Sequence, residues 1–219
     1  MATEVRPGAQ VAVFARAPNP GEVKTRLIPA LGAQGAAALH RALVTRAIAT
    51  AVDADIGPVR LWCAGDAAHA FFAQCAGRFG VAAVAQCEGD LGARMRHAFE
   101  SLLGESERAL LIGSDIPALT PAYLRAADAA LAQGHNAVLG PAEDGGYVLI
   151  GLRRVAPELF ARIGWGGPQV LAQTRARLAR LKWSHVELTT LWDVDRPEDL
   201  QRGDLPELVA SIRQAPPEA

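Results

Sequence analysis

Several classes of protein are excluded by what this sequence has little of. Its 219 residues include only three cysteines, Cys63, Cys75 and Cys87, which form no CxxC pair, and its five histidines lie too far from them for a local zinc motif. We therefore predict reduced thiols. No apolar run reaches the length of about 18 residues that a membrane span needs, and the N-terminus has no apolar segment of the signal-peptide type. These absences predict a cytoplasmic protein with no membrane span.

Charge of one sign is not in excess either. The chain carries 22 basic and 23 acidic residues, a formal net charge of -1, whereas a nucleic-acid-binding protein has a basic surplus. Only two of the basic residues are lysines, Lys24 and Lys182. In a background that favours arginine, a lysine beside a loop rich in proline and glycine suggests a compact point charge for a phosphate, although an ordinary surface lysine looks the same. Nucleic acid is therefore excluded as a partner, and a small anionic ligand is not.

Three well-known motifs are also missing. No G-x-G-x-x-G follows the first predicted strand, Lys24 does not stand in the G-x-x-x-x-G-K-[ST] order, and no G-x-S-x-G occurs. Dinucleotide-dependent dehydrogenases, P-loop nucleotidases and α/β-hydrolases are therefore disfavoured.

What is present is a regular alternation of short apolar runs and amphipathic segments, which is typical of an α/β protein with an open, mostly parallel sheet flanked by helices. A chain of 219 residues can bury one large core, so we predict a single domain over residues 9–214 with frayed ends at 1–8 and 215–219. The predicted strands are 10–15, 59–63, 81–85, 108–112, 136–140, 147–151 and 183–188.

The first strand runs into a loop that carries two cationic side chains. Lys24 and Arg26 follow the loop, and the segment 25–31, closed by Gly32, reads as a short helix whose N-terminal amides face the same crevice. Ligands of open α/β sheets bind at the carboxyl ends of the strands. The arrangement predicts a phosphate site.

Asp115 follows the apolar strand 108–112 and precedes a proline. A carboxylate at a strand end is placed to hold Mg²⁺, which proteins bind through one or two carboxylates together with substrate phosphates. The alternative is a turn or N-cap aspartate before the helix that Thr120 opens.

Glu143, Asp144, Gly145 and Gly146 lie between two predicted strands and precede Tyr147. Asp-Gly is a common hairpin signal, so the glycines could serve a turn alone. Glycines also let a ligand approach the backbone closely, and a turn does not require the acidic pair. We favour a substrate role for Asp144.

Asp193 and Asp195 alternate just before a helix that Pro197 begins. Alternate residues of an extended segment face the same side, so both carboxylates could bind one cation. In the competing interpretation Asp195 caps the helix, and both roles are compatible if Asp193 is the ligand.

Two further segments are weaker indications. The glycine-rich turn at 86–95, between a predicted strand and a predicted helix, offers backbone N–H groups and Arg94 to a base or phosphate. The segment 164–168 is either a flap that presents Trp165 or a long loop with one buried aromatic residue.

Five segments in order resemble a known family. They are Phe14-Ala-Arg-Ala-Pro-x-Pro-Gly-x-Val-Lys-Thr-Arg-Leu, Gly89-Asp-Leu-Gly, Ile112-Gly-Ser-Asp-x-Pro, Pro141-Ala-Glu-Asp-Gly-Gly-Tyr and Trp192-Asp-Val-Asp. Together they resemble a bacterial family of GT-A-type glycosyltransferases, sometimes labelled arsenosugar-biosynthesis glycosyltransferases, within the nucleotide-diphospho-sugar transferase superfamily. The stretch Lys24-Thr-Arg-Leu is also similar to the phosphate loop of 2-phospholactate guanylyltransferases, which share that fold.

The resemblance implies a Rossmann-like three-layer α/β/α fold with a mostly parallel mixed sheet, and Mg²⁺ or Mn²⁺ held by Asp115 and Asp193, with Asp195 as a further candidate. One feature departs from the family: the usual metal motif is Asp-x-Asp, whereas this chain has Gly113-Ser-Asp-Ile-Pro, which is closer to nucleotidyltransferases. The substrate contacts that we predict are Ala15, Arg16, Pro18, Gly21, Gly89, Asp90, Gly92, Arg94, Gly145, Gly146, Tyr147 and Trp165.

We accordingly expect a metal-dependent transferase that moves a sugar from a nucleotide-diphospho-sugar to a small acceptor. Lys24 and Arg26 would hold the phosphates, and Asp144 would orient or deprotonate the acceptor hydroxyl. Two alternatives remain: a nucleotidyltransferase that uses a nucleoside triphosphate and releases pyrophosphate, and a nucleotide-binding module without catalysis. No oligomeric state is predicted.

Overall fold

A mixed sheet of seven strands forms the centre of the computed structural model, which describes residues 8–214. The strand order is β3-β2-β1-β4-β6-β5-β7, and every neighbouring pair is parallel except those that involve β6, which is antiparallel to both β4 and β5. The strands are β1 (Ala9–Arg16), β2 (Val59–Ala64), β3 (Ala82–Ala85), β4 (Arg108–Ile112), β5 (Ala137–Pro141), β6 (Tyr147–Leu152) and β7 (His185–Glu187).

Helices cover both faces of the sheet. The face that carries Val11 and Val13 packs against α1, α2 and α4, and the face that carries Ala12 and Phe14 packs against α3, α5 and α6. The last helix, α7, packs on α1. The helices are α1 (Ile28–Asp53), α2 (Ala70–Phe79), α3 (Leu91–Glu105), α4 (Pro121–Ala132), α5 (Pro157–Phe160), α6 (Val170–Arg180) and α7 (Leu205–Gln214), with 3-10 helices at Thr25–Leu27 and Pro197–Gln201.

These elements confirm the predicted three-layer fold with its mostly parallel mixed sheet. The central strand β1 is buried along its whole length except at Arg16, because a parallel strand covered on both faces must be apolar throughout. All seven predicted strands are present, with ends that differ from the prediction by at most two residues.

The predicted short helix at 25–31 is confirmed as a helical segment that breaks at Gly32, although it is not a separate element. A 3-10 helix at Thr25–Leu27 leads directly into α1, and Gly32 is a break inside α1, with φ 71° and ψ 166°, and not its end. The chain resumes the helix because the residues after the break bury an apolar face: Leu39 and Leu43 pack with Leu27 against α7.

β1 begins at Ala9 and α7 ends at Gln214. Apart from Gly8, the predicted frayed ends at 1–8 and 215–219 lie outside the described residues. Within residues 8–214, none of the helices combines the length and the apolar character that a membrane crossing requires.

Candidate functional site

The topology brings the predicted site residues to one edge of the sheet. β1, β4, β5 and β7 are mutually parallel, and the turn 142–146 joins the carboxyl end of β5 to the start of the antiparallel β6 at the same edge. The bridge between Ala142 and Leu191 holds the segment after β7 beside that turn. β1 has β2 on one side and β4 on the other, so this edge includes the crevice at which open α/β sheets bind ligands.

Lys24 is held inside this edge. Its Nζ donates to Asp115 Oδ2 at 2.7 Å and to the Val194 carbonyl at 2.5 Å, and its side chain is only 8% exposed. The Lys24 backbone has φ 47° and ψ 41°, in the left-handed region that non-glycine residues seldom adopt. Three chain segments that are far apart in the sequence therefore meet at one ammonium group.

The Asp115 carboxylate is kept ionised by this contact. Burial opposes its charge, but the Lys24 ammonium, through its charge and its hydrogen bond, outweighs burial and holds the pKa of Asp115 below its usual range. The Asp115 backbone carbonyl also accepts from the Val194 N–H at 2.9 Å. The strand-end loop after β4 is thus joined to the segment that carries Asp193.

Asp193 has the opposite electrostatic environment. Burial first, and then the negative charges of Asp115 and Asp144, raise the pKa of Asp193 to about 6. Three carboxylates are thus close enough to repel one another.

These carboxylates line a small cavity that we call the apolar chamber. Its volume is about 170 Å³, and most of its wall is formed by apolar side chains and glycines. The lining residues are Leu91, Gly113, Asp115, Ile116, Ala142, Asp144, Gly146, Tyr147, Val148, Trp165, Gly166, Gly167, Val170 and Asp193.

A second cavity, which we call the polar chamber, adjoins the first. Its volume is about 410 Å³, and it shares Asp144, Asp193, Gly166 and Gly167 with the apolar chamber. The rest of its wall consists of Arg26, Glu143, Pro168, Trp192, Asp195, Arg196, Asp199 and Arg202. Asp144 and Asp193 therefore stand between two spaces of different character.

The structure separates Arg26 from the group around Lys24. Arg26 lines the polar chamber, is 67% exposed, and forms an ion pair with Asp195. Asp195 does not cap the following 3-10 helix, so that interpretation was wrong. The capping carboxylate is Asp199, whose Oδ2 accepts from the Asp195 and Arg196 backbone N–H groups at 3.0 and 2.7 Å.

The segment 164–168 is packed over two glycines of the predicted motifs. A Cβ atom at Gly92 would lie 2.7 Å from the Phe160 carbonyl oxygen and 2.8 Å from the Trp165 indole. A Cβ atom at Gly145 would lie 2.2 Å from the Pro168 carbonyl oxygen, and Gly145 has φ 88°. These contacts account for both glycines through the packing of the protein itself, whereas we had predicted them as substrate contacts.

The other members of the glycine-rich turn have local partners. Asp90 caps α3 by accepting from the Ala93 N–H at 2.8 Å, and Arg94 Nε donates to the Gly89 carbonyl at 3.0 Å. Gly89 has φ 113°, which allows this tight turn. These residues line neither chamber, but Leu91 of the same turn lines the apolar chamber.

The predicted contacts in the first loop also lie outside the chambers. Ala15 and Pro18 are buried at the carboxyl end of β1, while Arg16 and Gly21 are exposed. The Arg16 carbonyl accepts from Nε2 of the buried His40 at 3.0 Å, which anchors the start of the loop to α1.

The donor set fits a hard divalent cation. Asp115, Asp144 and Asp193 supply only carboxylate oxygens, and their mutual repulsion would be relieved by a positive ion between them. Among residues 8–214, no three His, Cys, Asp or Glu side chains form a ready-made metal cage. A cage is not required, since Mg²⁺ is commonly bound by one or two carboxylates plus substrate phosphates.

Several lining residues were missed by the sequence analysis. Leu91 belongs to the apolar face of α3, and nothing in the sequence distinguishes it from a core residue, yet it is 43% exposed at the chamber. Arg202 was missed too: it binds Glu143 through two hydrogen bonds of 2.9 Å and lies 4.2 Å from the centre of the Trp192 ring. No periodic pattern connects these residues.

The fold and this edge define a member of the nucleotide-diphospho-sugar transferase fold class, and solved structures agree. A "putative nucleotide-diphospho-sugar transferase" from Desulfovibrio desulfuricans G20 is 29% identical, with a TM-score of 0.80 over 94% of this chain and 97% of that one. The inositol-1-phosphate CTP transferase from T. maritima is 11% identical, with a TM-score of 0.58 over 95% of this chain and 98% of that one.

A third structure, glucosyl-3-phosphoglycerate synthase from Mycobacterium tuberculosis, was solved with Mn²⁺, uridine diphosphate and glucosyl-3-phosphoglycerate. It is 14% identical, with a TM-score of 0.56 over 96% of this chain and 77% of that one. The two more distant structures establish a shared fold only. The chain belongs to the bacterial family described as "Uncharacterized protein conserved in bacteria (DUF2064)", whose sequence profile matches residues 47–167. A search of the curated proteins finds no match.

Proposed function

We propose that this protein is a divalent-metal-dependent glycosyltransferase that uses a nucleotide-diphospho-sugar. The observation that carries the proposal is the meeting of Lys24 with Asp115 at 2.7 Å beside a cavity that Asp144 and Asp193 also line. Carboxylates for a cation and a fixed ammonium group at the switch point of an α/β sheet are what a nucleoside diphosphate requires. The similarity to the Desulfovibrio desulfuricans structure supports the same class.

In this proposal Asp115 and Asp193 hold the cation, and Lys24 and Arg26 interact with the phosphates. When bound, the cation neutralises the negative charge that develops on the departing diphosphate. Lys24 adds a positive charge that its contacts with Asp115 and the Val194 carbonyl already hold in position, so little reorganisation is needed during the reaction.

The transfer itself needs one general base. The acceptor hydroxyl oxygen forms a bond to the anomeric carbon of the sugar, the bond from that carbon to the phosphate oxygen breaks, and the nucleoside diphosphate leaves with the electron pair. Asp144 takes the proton of the acceptor hydroxyl. Its Oδ1 accepts from the Gly146 N–H at 2.8 Å, which fixes the carboxylate and leaves Oδ2 for that proton.

The test is a donor screen with product analysis. We would incubate the protein with Mn²⁺ and the glucose, galactose, mannose and N-acetylglucosamine derivatives of uridine, guanosine, cytidine and thymidine diphosphates, and measure binding by calorimetry. A mixture of small hydroxylated acceptors is then added and the products are separated by mass. Release of nucleoside diphosphate with formation of a glycoside supports the proposal, and binding of no nucleotide refutes it.

A second candidate is nucleotidyl transfer, in which a phosphate or hydroxyl acceptor attacks the α-phosphate and pyrophosphate leaves. It is favoured by the single aspartate of Gly113-Ser-Asp-Ile-Pro, where the resemblance to glycosyltransferases leads one to expect Asp-x-Asp. The same cation and basic groups would serve this reaction. Nucleoside triphosphates with the same acceptors, assayed for pyrophosphate, separate the two: pyrophosphate alone would replace our first choice.

A further inference from the structure

The apolar chamber has an exposed apolar side chain in its wall. Leu91 is 43% exposed, and within residues 8–214 only one other large hydrophobic side chain, Val52 at 37%, is exposed to a comparable degree. Leu91 lies at the first turn of α3 and lines the same chamber as the three carboxylates. An apolar side chain that faces a cavity at the ligand-binding edge indicates contact with a ligand that has an apolar face.

The charges around the chamber are of one sign. Asp115, Asp144 and Asp193 line it, and no Lys, Arg or His among the described residues 8–214 does. Lys24 offsets one of the three negative charges through its contact with Asp115, and it does not itself line the chamber. A divalent cation would offset the remaining two, and a diphosphate would then add negative charge again. A further anionic group in the chamber would therefore be buried without a partner.

The size of the chamber restricts its occupant. Its volume of about 170 Å³ is well below the roughly 300–1,000 Å³ of pockets that hold drug-sized ligands. A complete nucleotide does not fit, whereas one six-membered ring with its hydroxyl groups does. Such a ring has one apolar face for Leu91 and hydroxyl donors for the carboxylates.

We propose that the apolar chamber binds the sugar of the donor and selects a neutral, hydroxylated single ring, rejecting rings that carry a carboxylate or phosphate. This inference rests on the proposed function and adds the substrate class. Leu91 and Trp165 are the residues that set the selectivity. Leu91 provides no positive charge that could pair with an anionic ring, and Trp165, which packs against Gly92, limits the space.

The experiment compares two donors that differ only at one carbon. UDP-glucose and UDP-glucuronate, or GDP-mannose and GDP-mannuronate where the guanine nucleotide is the one that binds, have the same base and nearly the same size. We expect the uronate donor to bind at least about tenfold more weakly in calorimetry with Mn²⁺, with a matching loss of kcat/KM, because its carboxylate finds no partner. Equal or tighter binding of the uronate donor would overturn the inference.

Variants of Leu91, in the wall of the apolar chamber, test the cause of the preference for a neutral sugar. Leu91→Arg should bring the two affinities to within about twofold of each other by giving the carboxylate a cation, while Leu91→Gln, which changes polarity without charge, should keep the difference. Val52→Arg, an equal change at the other exposed apolar position, is the control for a general charge effect. Circular dichroism confirms that each variant is folded. An unchanged preference in Leu91→Arg would remove Leu91 from the selectivity.

The two hypotheses fail in different ways. If neither UDP nor GDP nor any other nucleoside diphosphate binds with Mn²⁺, the proposed function is wrong. If the nucleoside diphosphate binds and both its neutral and its anionic sugar derivatives bind equally well, the proposed function stands and the charge selection is wrong.

Discussion

Lys24 has a backbone conformation that only a strong constraint maintains. A lysine with φ 47° is strained by about 1 kcal/mol or more, as is the exposed Lys182 with φ 54°, so the buried and bonded side chain is what distinguishes Lys24. The constraint here is visible, because Nζ is fixed by Asp115 and by the Val194 carbonyl. The sequence could indicate this lysine from its rarity and its loop, but not its partner 91 positions away.

Removal of the Lys24 ammonium should weaken nucleotide binding. Lys24→Ala is expected to lose roughly 1.5–3 kcal/mol of binding free energy for the nucleoside diphosphate, the usual range for hydrogen bonds to charged groups. Lys182→Ala is the matched control, since Lys182 is the other lysine, has a similar backbone φ of 54° and is exposed outside the chambers. Calorimetric titration checks both, and an unchanged affinity in Lys24→Ala would exclude the lysine from the phosphate site.

The raised pKa of Asp193 should make the proposed metal binding dependent on pH. Its pKa is raised to about 6, chiefly by burial and then by Asp115 and Asp144, so the metal-free protein carries a proton there at lower pH. A cation must displace that proton, so Mn²⁺ affinity should rise as the pH increases from 5 to 7. Manganese titrations followed by electron paramagnetic resonance measure this, and Asp193→Asn should bind Mn²⁺ more weakly and with a flatter pH profile. A profile in the wild type that is flat between pH 5 and 7 would contradict the assignment.

The same pKa predicts the pH dependence of stability without metal. An acid whose pKa is raised in the folded state stabilises the fold only while it is protonated, so this contribution is present below the ordinary aspartate pKa and is lost as the pH rises to about 6. Urea unfolding of the metal-free protein should therefore show the Asp193→Asn variant losing less stability than the wild type over that interval. Equal losses in the two proteins would show that Asp193 does not titrate there.

Among the elements, the segment 164–168 was the least predictable. Glycine, tryptophan and proline indicated a loop, but its position on the first turn of α3 and on the turn 142–146 depends on contacts between distant parts of the chain. The turn 142–146, in contrast, could be predicted from its local sequence. Its Asp-Gly pair predicted a hairpin and a substrate site as alternatives, and the structure has the hairpin, with Asp144 lining both chambers.

Gly92 should be essential for the packing of the segment 164–168 against α3. Gly92→Ala would press a methyl group against the Phe160 carbonyl and the Trp165 indole at 2.7–2.8 Å, which should destabilise the fold by about 1–3 kcal/mol and displace Trp165. Gly104→Ala, in the same helix with no atom within 4 Å of its added methyl group, should be neutral or more stable by up to about 1 kcal/mol. Urea unfolding and tryptophan fluorescence measure both changes, and equal effects in the two variants would contradict the packing argument.

At the scale of the whole molecule, sequence patterns were enough to predict the layers of the fold. They were not enough to predict how the site residues are arranged at the edge of the sheet. Continuous apolar runs such as 11–15 identified buried strands, and helical periodicity identified the covering helices. The antiparallel direction of β6 and the division of the edge into two chambers follow from strand order, which is set by packing among distant segments. The positions of the aspartates after predicted strands already indicated the carboxylates, the family resemblance added the expectation of a metal, and the fold explains why they are close together.

The two chambers lead to a kinetic prediction. Because Asp144 lines both chambers, a donor with its sugar in the apolar chamber and its phosphates near Arg26 would be bound at the same time as an acceptor beside Asp144. Transfer then needs no covalent sugar–enzyme intermediate, and initial-rate plots at several acceptor concentrations should intersect. Asp144→Asn should lower kcat by about 10²–10⁴ with little change in donor affinity, since it removes the base and not the phosphate contacts. Parallel initial-rate lines, or a burst of nucleoside diphosphate without acceptor, would show instead that the sugar is first transferred to the protein, and the role of Asp144 would have to change from base to nucleophile.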